Sequence, residues 1–250
     1  MNLCYEDVIK AKSSLNYPSE LFINGKYQKS ISEKSFENIS PIDGSIVNQV
    51  FFAEQEDIDL AVSKAKETFN KGYWSNLSPG ERKKILLKFA ILLERDRLEL
   101  SLLDTIDMGK TINDTYNADL PTSIDNIEWY AEIIDKLFDD ISPSSKEYLG
   151  LITKEPIGVV AAIVPWNYPL WMAIWKIAPA LITGNSVILK PAEQSPMSAI
   201  KIGALLSEAG VPDGVFSVLP GDGPITGKSL CLHNDIDCVA FTGSGEVGKL

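Results

Sequence analysis

The sequence predicts an α/β fold, a parallel sheet with helices on both faces, and three observations carry that prediction. Apolar, β-branched runs at 157–164, 186–190, 215–219 and 238–241 have strand length and no polar alternation, the pattern of strands buried on both sides. Between them, residues 170–183, 197–209 and 225–232 repeat apolar side chains at helical spacing. Strand and helix alternate without interruption, which is the signature of a Rossmann-like domain.

The elements can be justified in chain order. Leu21-Phe22-Ile23 runs into Asn24-Gly25, a strong hairpin signal, and Pro41-Ile42-Asp43-Gly44 makes a second turn, so the first fifty residues read as a short β region. From 54 to 70, Ile58, Ala61, Val62, Ala65 and Phe69 recur at helical spacing, with acids in the first turn. Ser78-Pro79-Gly80-Glu81 is a capping box with proline at the first helical position, followed by Ile85, Leu86, Phe89, Leu92 and Leu93. A further helix is expected at 123–138 on Ile127, Tyr130, Ile134 and Leu137, then a loop at 142–145 and a strand at 148–154.

Bulk properties bound the function. With 45% hydrophobic and 23% charged residues, 250 residues can bury a sizeable core. Twenty-three basic against 34 acidic residues, net −11, argue against nucleic-acid binding, which needs a basic surface. Cys4, Cys231 and Cys238 are odd in number and widely spaced, so no disulfide framework or zinc site is expected; Cys231 and Cys238 read as small packing residues. A lone histidine, His233, reads as structural, and no metal is expected. Residues 1–12 lack an apolar signal segment. The apolar stretch 157–189 is broken by Lys176, Pro165, Pro169 and Pro179, so it reads as core and not as a membrane span, and a cytoplasmic location is expected.

Ligands of such sheets lie beyond the carboxyl ends of the strands, so those loops are where chemistry is sought. Gly227-Lys228-Ser229 resembles the end of a P-loop, but the required first glycine falls on Asp222, with Gly221 one residue early and Gly223 one late. Gly243-Ser244-Gly245-Glu246-Val247-Gly248 matches G-x-G-x-x-G directly after a strand; it is either a phosphate-facing turn or an ordinary glycine-rich one. Lys190 and Glu193 follow the second strand, where a carboxylate accepts hydrogen bonds from both ribose hydroxyls and repels a 2′-phosphate; a solvated ion pair is the plainer reading. Pro165-Trp166-Asn167-Tyr168-Pro169 is a proline-stiffened loop whose asparagine can donate to an oxyanion. Trp166, Tyr168, Trp171 and Trp175 either wall an apolar tunnel or pack the following helix.

Taken together, these loops resemble the aldehyde dehydrogenase superfamily. The matching stretches are PWNYP (Pro165–Pro169), KPAEQSP (Lys190–Pro196), GDGPITG (Gly221–Gly227) and FTGSGEVG (Phe241–Gly248), in order and at fitting distances. LFINGKY near the start and TIDMGK (Thr105–Lys110) extend the likeness over nearly the whole chain. IEWYAEIIDKLF, EPIGVVAAIVPWNYP and HNDIDCVAFTGS are most similar to the branch acting on γ-glutamylaminobutyraldehyde and related aminoaldehydes of polyamine breakdown.

The resemblance implies roles. Asn167 holds the substrate carbonyl oxygen; Lys190 and Glu193 bind the adenosine ribose of NAD, which is preferred over NADP. Ser244 with Gly243 contacts the pyrophosphate, and Val247 packs toward the adenine. Ile163, Pro165, Trp166, Gly223, Gly227 and Phe241 belong to the cofactor cleft. Tyr168, Met172 and Trp175 lie along the substrate tunnel, with Lys176 beside a proton path. Gly245 departs from the family, which usually has threonine there.

The resemblance also implies a domain plan: residues 1–137 as the first part of the cofactor domain, 138–156 as a β-hairpin oligomerisation arm, and 157–250 as the Rossmann-like core. The family's nucleophilic cysteine and general-base glutamate belong to later segments, as does the strand that joins 148–154. The chain is therefore expected to be the N-terminal half of an NAD-dependent enzyme, with the catalytic domain absent and no turnover by itself. The alternatives are a non-catalytic NAD-binding module, or a half that pairs with a separate C-terminal polypeptide; a P-loop phosphotransferase is a third reading. The expected partners are a small aldehyde and, for the full-length family, further copies in a homo-oligomer.

Overall fold

Asn24 and Gly25 take φ of 51° and 76°, the two left-handed positions of a type I′ turn, and set Ile23 opposite Lys26. The computed structural model in which they sit describes residues 4–249. Helix α1 (Tyr5–Ser13) precedes this hairpin, whose strands are β1 (Leu21–Ile23) and β2 (Lys26–Gln28). A second hairpin, β3 (Ser35–Ile39) and β4 (Ile46–Phe51), turns through Pro41 to Gly44.

Helix α2 (Gln55–Asn70) follows, then α3 (Pro79–Arg95) and α4 (Arg97–Met108). The capping box of α3 is formed: the Ser78 N–H donates to Glu81 Oε2 at 2.8 Å and the Glu81 N–H to Ser78 Oγ at 3.3 Å. Gly109, at φ 74°, ends α4 in the left-handed conformation that favours glycine. The short α5 (Ile112–Asp114) passes through a π-helical turn, Thr115–Asp119, into α6 (Leu120–Ile133). The sequence placed α6 at 123–138. It starts earlier because Pro121 sits in the first turn, where no intrahelical N–H is lost. It stops earlier because Leu137 and Phe138 lie outside the helix and exposed, so their apolar character is not core contact.

Strands β5 (Asp140–Ser142) and β6 (Gly150–Ile152) make an antiparallel ribbon, shorter than the strand expected at 148–154. From there the alternation is regular: β7 (Val159–Ile163), α7 (Pro169–Ile182), β8 (Ser186–Lys190), α8 (Met197–Ala209), β9 (Phe216–Val218), a π-helical turn Gly223–Gly227, α9 (Lys228–Leu232) and β10 (Cys238–Phe241).

The main sheet has six strands in the order β10-β7-β8-β9-β1-β2. The first four are mutually parallel, as the sequence predicts. The N-terminal hairpin extends them antiparallel, through Phe22 opposite Val218. A hairpin needs no crossover helix, which is why the strand–helix alternation alone did not reveal it.

Helices cover both faces. Val159, Ala161 and Ile188 pack on Ile58, Ala61, Val62 and Ala65 of α2 and Leu230 of α9. Val160, Ala162, Val187 and Leu189 pack on Leu170, Ala173, Ile174 and Ile177 of α7 and on α8, with α3 and α6 completing the cluster. Each buried valine, leucine or isoleucine among these is worth about 1.5–3 kcal/mol, so the sheet is a stiff platform for the loops at its ends. On the edge strand β10, Cys238 and Ala240 join the core while Val239 and Phe241 are open to solvent. Cys231 corrects the packing reading: on the short α9 it is exposed, while Cys238 is half-buried. Among the described residues no helix is long and apolar enough to cross a membrane.

Candidate functional site

Three backbone hydrogen bonds carry the sheet past its formal strand ends. The Thr242 N–H donates to the Ile163 carbonyl at 3.0 Å, Val164 to Lys190 at 3.2 Å and Leu219 to Leu189 at 2.9 Å. The loops after β10, β7, β8 and β9 therefore leave the sheet side by side. The order β7, β8, β9 runs outward in one direction and β10 returns to the other flank of β7. The crevice between β7 and β10 is thus a topological switch point, where open α/β sheets bind ligands. Ile163, Pro165 and Trp166 come from one side of it, Phe241 and Gly243 from the other. Ile163 is buried, Pro165 half-buried and Trp166 exposed.

Lys190 ends β8 on the face shared with Ser186 and Ile188, toward α2. Its side chain is only 4% exposed, and among the described residues its one partner is Glu193 Oε2 at 3.4 Å, on a side chain 39% exposed. Burial pushes the ammonium below its ordinary pKa, opposed by the charges of Glu193 and Asp222. An ammonium has three donors; here one long contact is filled, so donor capacity is left at the crevice rim. That suits an acceptor-rich ligand such as a pair of sugar hydroxyls, and Glu193 supplies the matching acceptor.

The glycine loops differ from one another. In the stretch Gly221–Gly227, Asp222 Oδ1 accepts from the Ile225 N–H at 2.7 Å, and the Gly227 N–H donates to the Asp222 carbonyl at 3.0 Å. Thr226 Oγ1 donates to the Ala53 carbonyl at 2.7 Å. A carboxylate and local carbonyls occupy these donors, so the loop does not form the amide cradle of a P-loop. Gly223 is exposed and Gly227 buried. In the loop after β10, Ser244 Oγ accepts from the Val247 N–H at 3.2 Å, leaving the hydroxyl proton free to donate. Gly243 faces the Phe241 ring, which a Cβ would strike, whereas a Cβ at Gly245 meets nothing within 4 Å. A side chain at 243 would have to displace the Phe241 ring, whereas at 245 it would meet open space.

Beyond β7, Asn167 is exposed, and among the described residues its side chain has no hydrogen-bond partner. Tyr168 caps α7, and Trp171, Met172 and Trp175 follow it at helical spacing; Met172 still packs on the cluster of Leu170, Ala173, Ile174 and Ile177, while Trp175 is exposed. Tyr168 and Trp171 meet edge to face at 5.2 Å and Trp171 and Trp175 are tilted at 6.3 Å, a continuous aromatic wall. Trp166 and Trp175 stay about half exposed. Lys176 is half-buried on the same helix, and desolvation lowers its pKa.

Other groups joined here carry no simple sequence signal. Ser195, buried, donates to the Trp166 carbonyl at 3.0 Å. Lys110 lies 3.7 Å from the centroid of the Tyr168 ring and 2.5 Å from Asp119 Oδ2. Both are long-range contacts that the TIDMGK and KPAEQSP stretches contain without displaying. The cysteines lie elsewhere. Cys238 pairs with Val160 at the amino end of the parallel strands, away from Asn167, and Cys231 is on α9. His233 Nε2 sits 3.4 Å from Asp59 on the surface, and its Nδ1 accepts from the Asp235 N–H at 3.1 Å, a structural role.

Comparison with known proteins places the fold in one family. Residues 27–250 match the aldehyde dehydrogenase family. The NADP/NAD-dependent aldehyde dehydrogenase PuuC of Escherichia coli is 46% identical over 236 residues, which are 94% of this chain and 48% of that protein. A solved γ-glutamyl-γ-aminobutyraldehyde dehydrogenase of Burkholderia cenocepacia superposes with TM-score 0.96 at 46% identity, over 99% of this chain and 50% of the other. The indole-3-acetaldehyde dehydrogenase of P. syringae, solved with NAD+ and IAA, gives 0.97 at 47% identity, over 99% and 50%. The chain spans about half the length of the relatives it matches.

Proposed function

Because the chain belongs to the aldehyde dehydrogenase family, we propose that it supplies the cofactor-binding half of an enzyme that oxidises an aldehyde to its carboxylic acid with NAD. The observation that carries this is Lys190, a buried cation with unfilled donors beside Glu193 at the carboxyl end of β8. NAD, when bound, accepts the hydride removed from the substrate. Lys190 and Glu193 grip its adenosine ribose, the Ser244 hydroxyl and the Gly243 backbone meet its pyrophosphate, and Val247 borders the adenine. Ile163, Pro165, Trp166, Gly223, Gly227 and Phe241 shape the cleft.

Asn167 donates to the substrate oxygen as it gains charge, from a side chain with no competing partner. Tyr168, Met172 and Trp175 wall the approach to it, and Lys176 stands on the proton path. The names of the Escherichia coli and Burkholderia relatives support an aminoaldehyde of polyamine breakdown as substrate. Glu193 favours NAD over NADP by repelling a 2′-phosphate. We further assign 1–137 and 157–250 to the cofactor domain and 138–156 to an oligomerisation arm, on the protruding β5–β6 ribbon.

A second reading, an NAD-binding module without turnover of its own, is favoured by one observation: Cys238 sits at the amino end of the parallel strands, the end opposite Asn167. Calorimetric titration with NAD, together with an aminoaldehyde oxidation assay, separates the readings. Residues 1–250 are expected to bind NAD and to reduce it only when a complementing C-terminal polypeptide is added. Turnover without that partner rejects the proposed division of labour, and absence of NAD binding rejects the site itself.

A further inference from the structure

We propose that Lys110 is a positioning residue for the loop that carries Asn167, an inference that rests on the functional reading above. Gly109 ends α4 and turns the chain so that Lys110 leaves the helix axis. The π-helical turn Thr115–Asp119 delivers the Asp119 carboxylate into the same space. Such turns insert one extra residue per turn and re-aim side chains, often at functional sites. Asp119 is 5% exposed and its oxygen is 2.5 Å from Lys110 Nζ. The ammonium so held stands over the Tyr168 ring at 3.7 Å from its centroid, a partly desolvated cation–π contact.

On the other side of Asn167, the buried Ser195 hydroxyl holds the Trp166 carbonyl. Both neighbours of Asn167 are thus anchored to separate elements, α4 with its π-helical turn on one side and the loop after β8 on the other. Among the described residues the Asn167 side-chain amide has no partner. Orientation is what an oxyanion donor must have before reaction, since a misplacement of about 1 Å can cost about a hundredfold in rate. The role assigned to Lys110 is to hold the Tyr168 ring, and through it the loop.

The test compares wild type with K110R, the paired K110M/D119N and Y168L by hydrogen–deuterium exchange of the amides at 166–172. The paired change removes both charges, so no carboxylate is stranded in the interior, and Y168L removes the ring while leaving the ion pair. K110M/D119N and Y168L are expected to raise exchange about tenfold at Met172, whose N–H donates to the Tyr168 carbonyl at 2.9 Å, with β7 and β8 still protected. K110R keeps a cation over the ring and is expected to exchange as wild type. Combining K110M/D119N with Y168L is expected to add nothing, because both remove one contact. Unchanged exchange in every variant overturns the inference, as does full additivity. With the complementing half present, kcat is expected to fall about tenfold or more for K110M/D119N with the KM for NAD unmoved. A loosened loop with unchanged kcat also overturns the positioning role. Wild type that fails to bind NAD defeats the functional reading alone, because the exchange comparison needs no ligand.

Discussion

Lys190 Nζ lies 3.4 Å from Glu193 Oε2, yet the lysine is buried and the glutamate is not. A buried charge with one long partner is a cost to folding, which the Coulomb gain offsets only in part.

Replacing Lys190 by methionine, similar in length and uncharged, is therefore expected to leave Tm unchanged or raise it. The same change is expected to weaken NAD binding about tenfold or more, the loss of one hydrogen bond to a charged group. Differential scanning fluorimetry and calorimetric titration read the two effects separately. A lower Tm with NAD affinity intact would mean the pair is structural. In E193Q the repulsion toward a 2′-phosphate is gone, so the NADP-to-NAD affinity ratio is expected to rise.

Asn167 is exposed and its side chain has no partner among the described residues, so N167A is expected to change stability by no more than about 0.5 kcal/mol. Turnover with the complementing half is expected to fall about 10²–10³-fold, the usual effect of removing an oxyanion donor. Initial rates at saturating NAD give the answer, and a loss of less than threefold would remove Asn167 from the chemistry.

What the sequence disclosed and what it hid divide along a physical line. The parallel strands and the helices α7 and α8 were legible because strands buried on both faces leave unbroken apolar runs, and Met197–Ala209 and Cys238–Phe241 agree to the residue. Lys190, Glu193 and Asn167 stand out as candidates in the sequence because Lys190 ends a strand and the other two lie in loops directly after one. The Lys110–Asp119 pair on Tyr168 was not, since a cation–π contact across 58 positions has no local period. The edge hairpin β1–β2 was seen as a hairpin but not as part of the sheet, because its only register mark toward β9 is Phe22 opposite Val218. Cys231 was misjudged because α9 has five residues, too few for an apolar pattern to separate its faces.

Asp104 carries a pH prediction. It is fully buried, and that desolvation pushes its carboxyl up to about 7 from the ordinary 3.8, with Ser198 and the Leu170 backbone opposing. Between those values the folded chain holds a proton that the unfolded chain has released. Stability is then greatest below the ordinary aspartate value, falls as pH rises toward 7 and levels off above it. Each unit of difference is worth about 1.4 kcal/mol. Thermal melts from pH 4 to 8 are expected to show that decline in wild type. D104N, which cannot ionise, is expected to show a shallower one, the remainder coming from Asp107, which burial also raises to about 8. Parallel curves for the two proteins would sink the assignment.

The open face of β10 makes the last prediction. Val239 and Phe241 are exposed there, and β10 is the outermost strand of the sheet, with one backbone edge unpaired. Ile141, Leu149, Leu151 and Ile152 expose a second apolar patch on the β5–β6 ribbon. Unpaired edges and contiguous apolar patches drive association, so residues 1–250 alone are expected to self-associate in size-exclusion chromatography and to bind a hydrophobic dye. The two patches lie on separate sheets and should act independently. V239K and L151K are each expected to shift the profile toward monomer, and the double variant by about the sum. A wild-type chain that elutes as a sharp monomer with no dye binding would show that these surfaces need no cover.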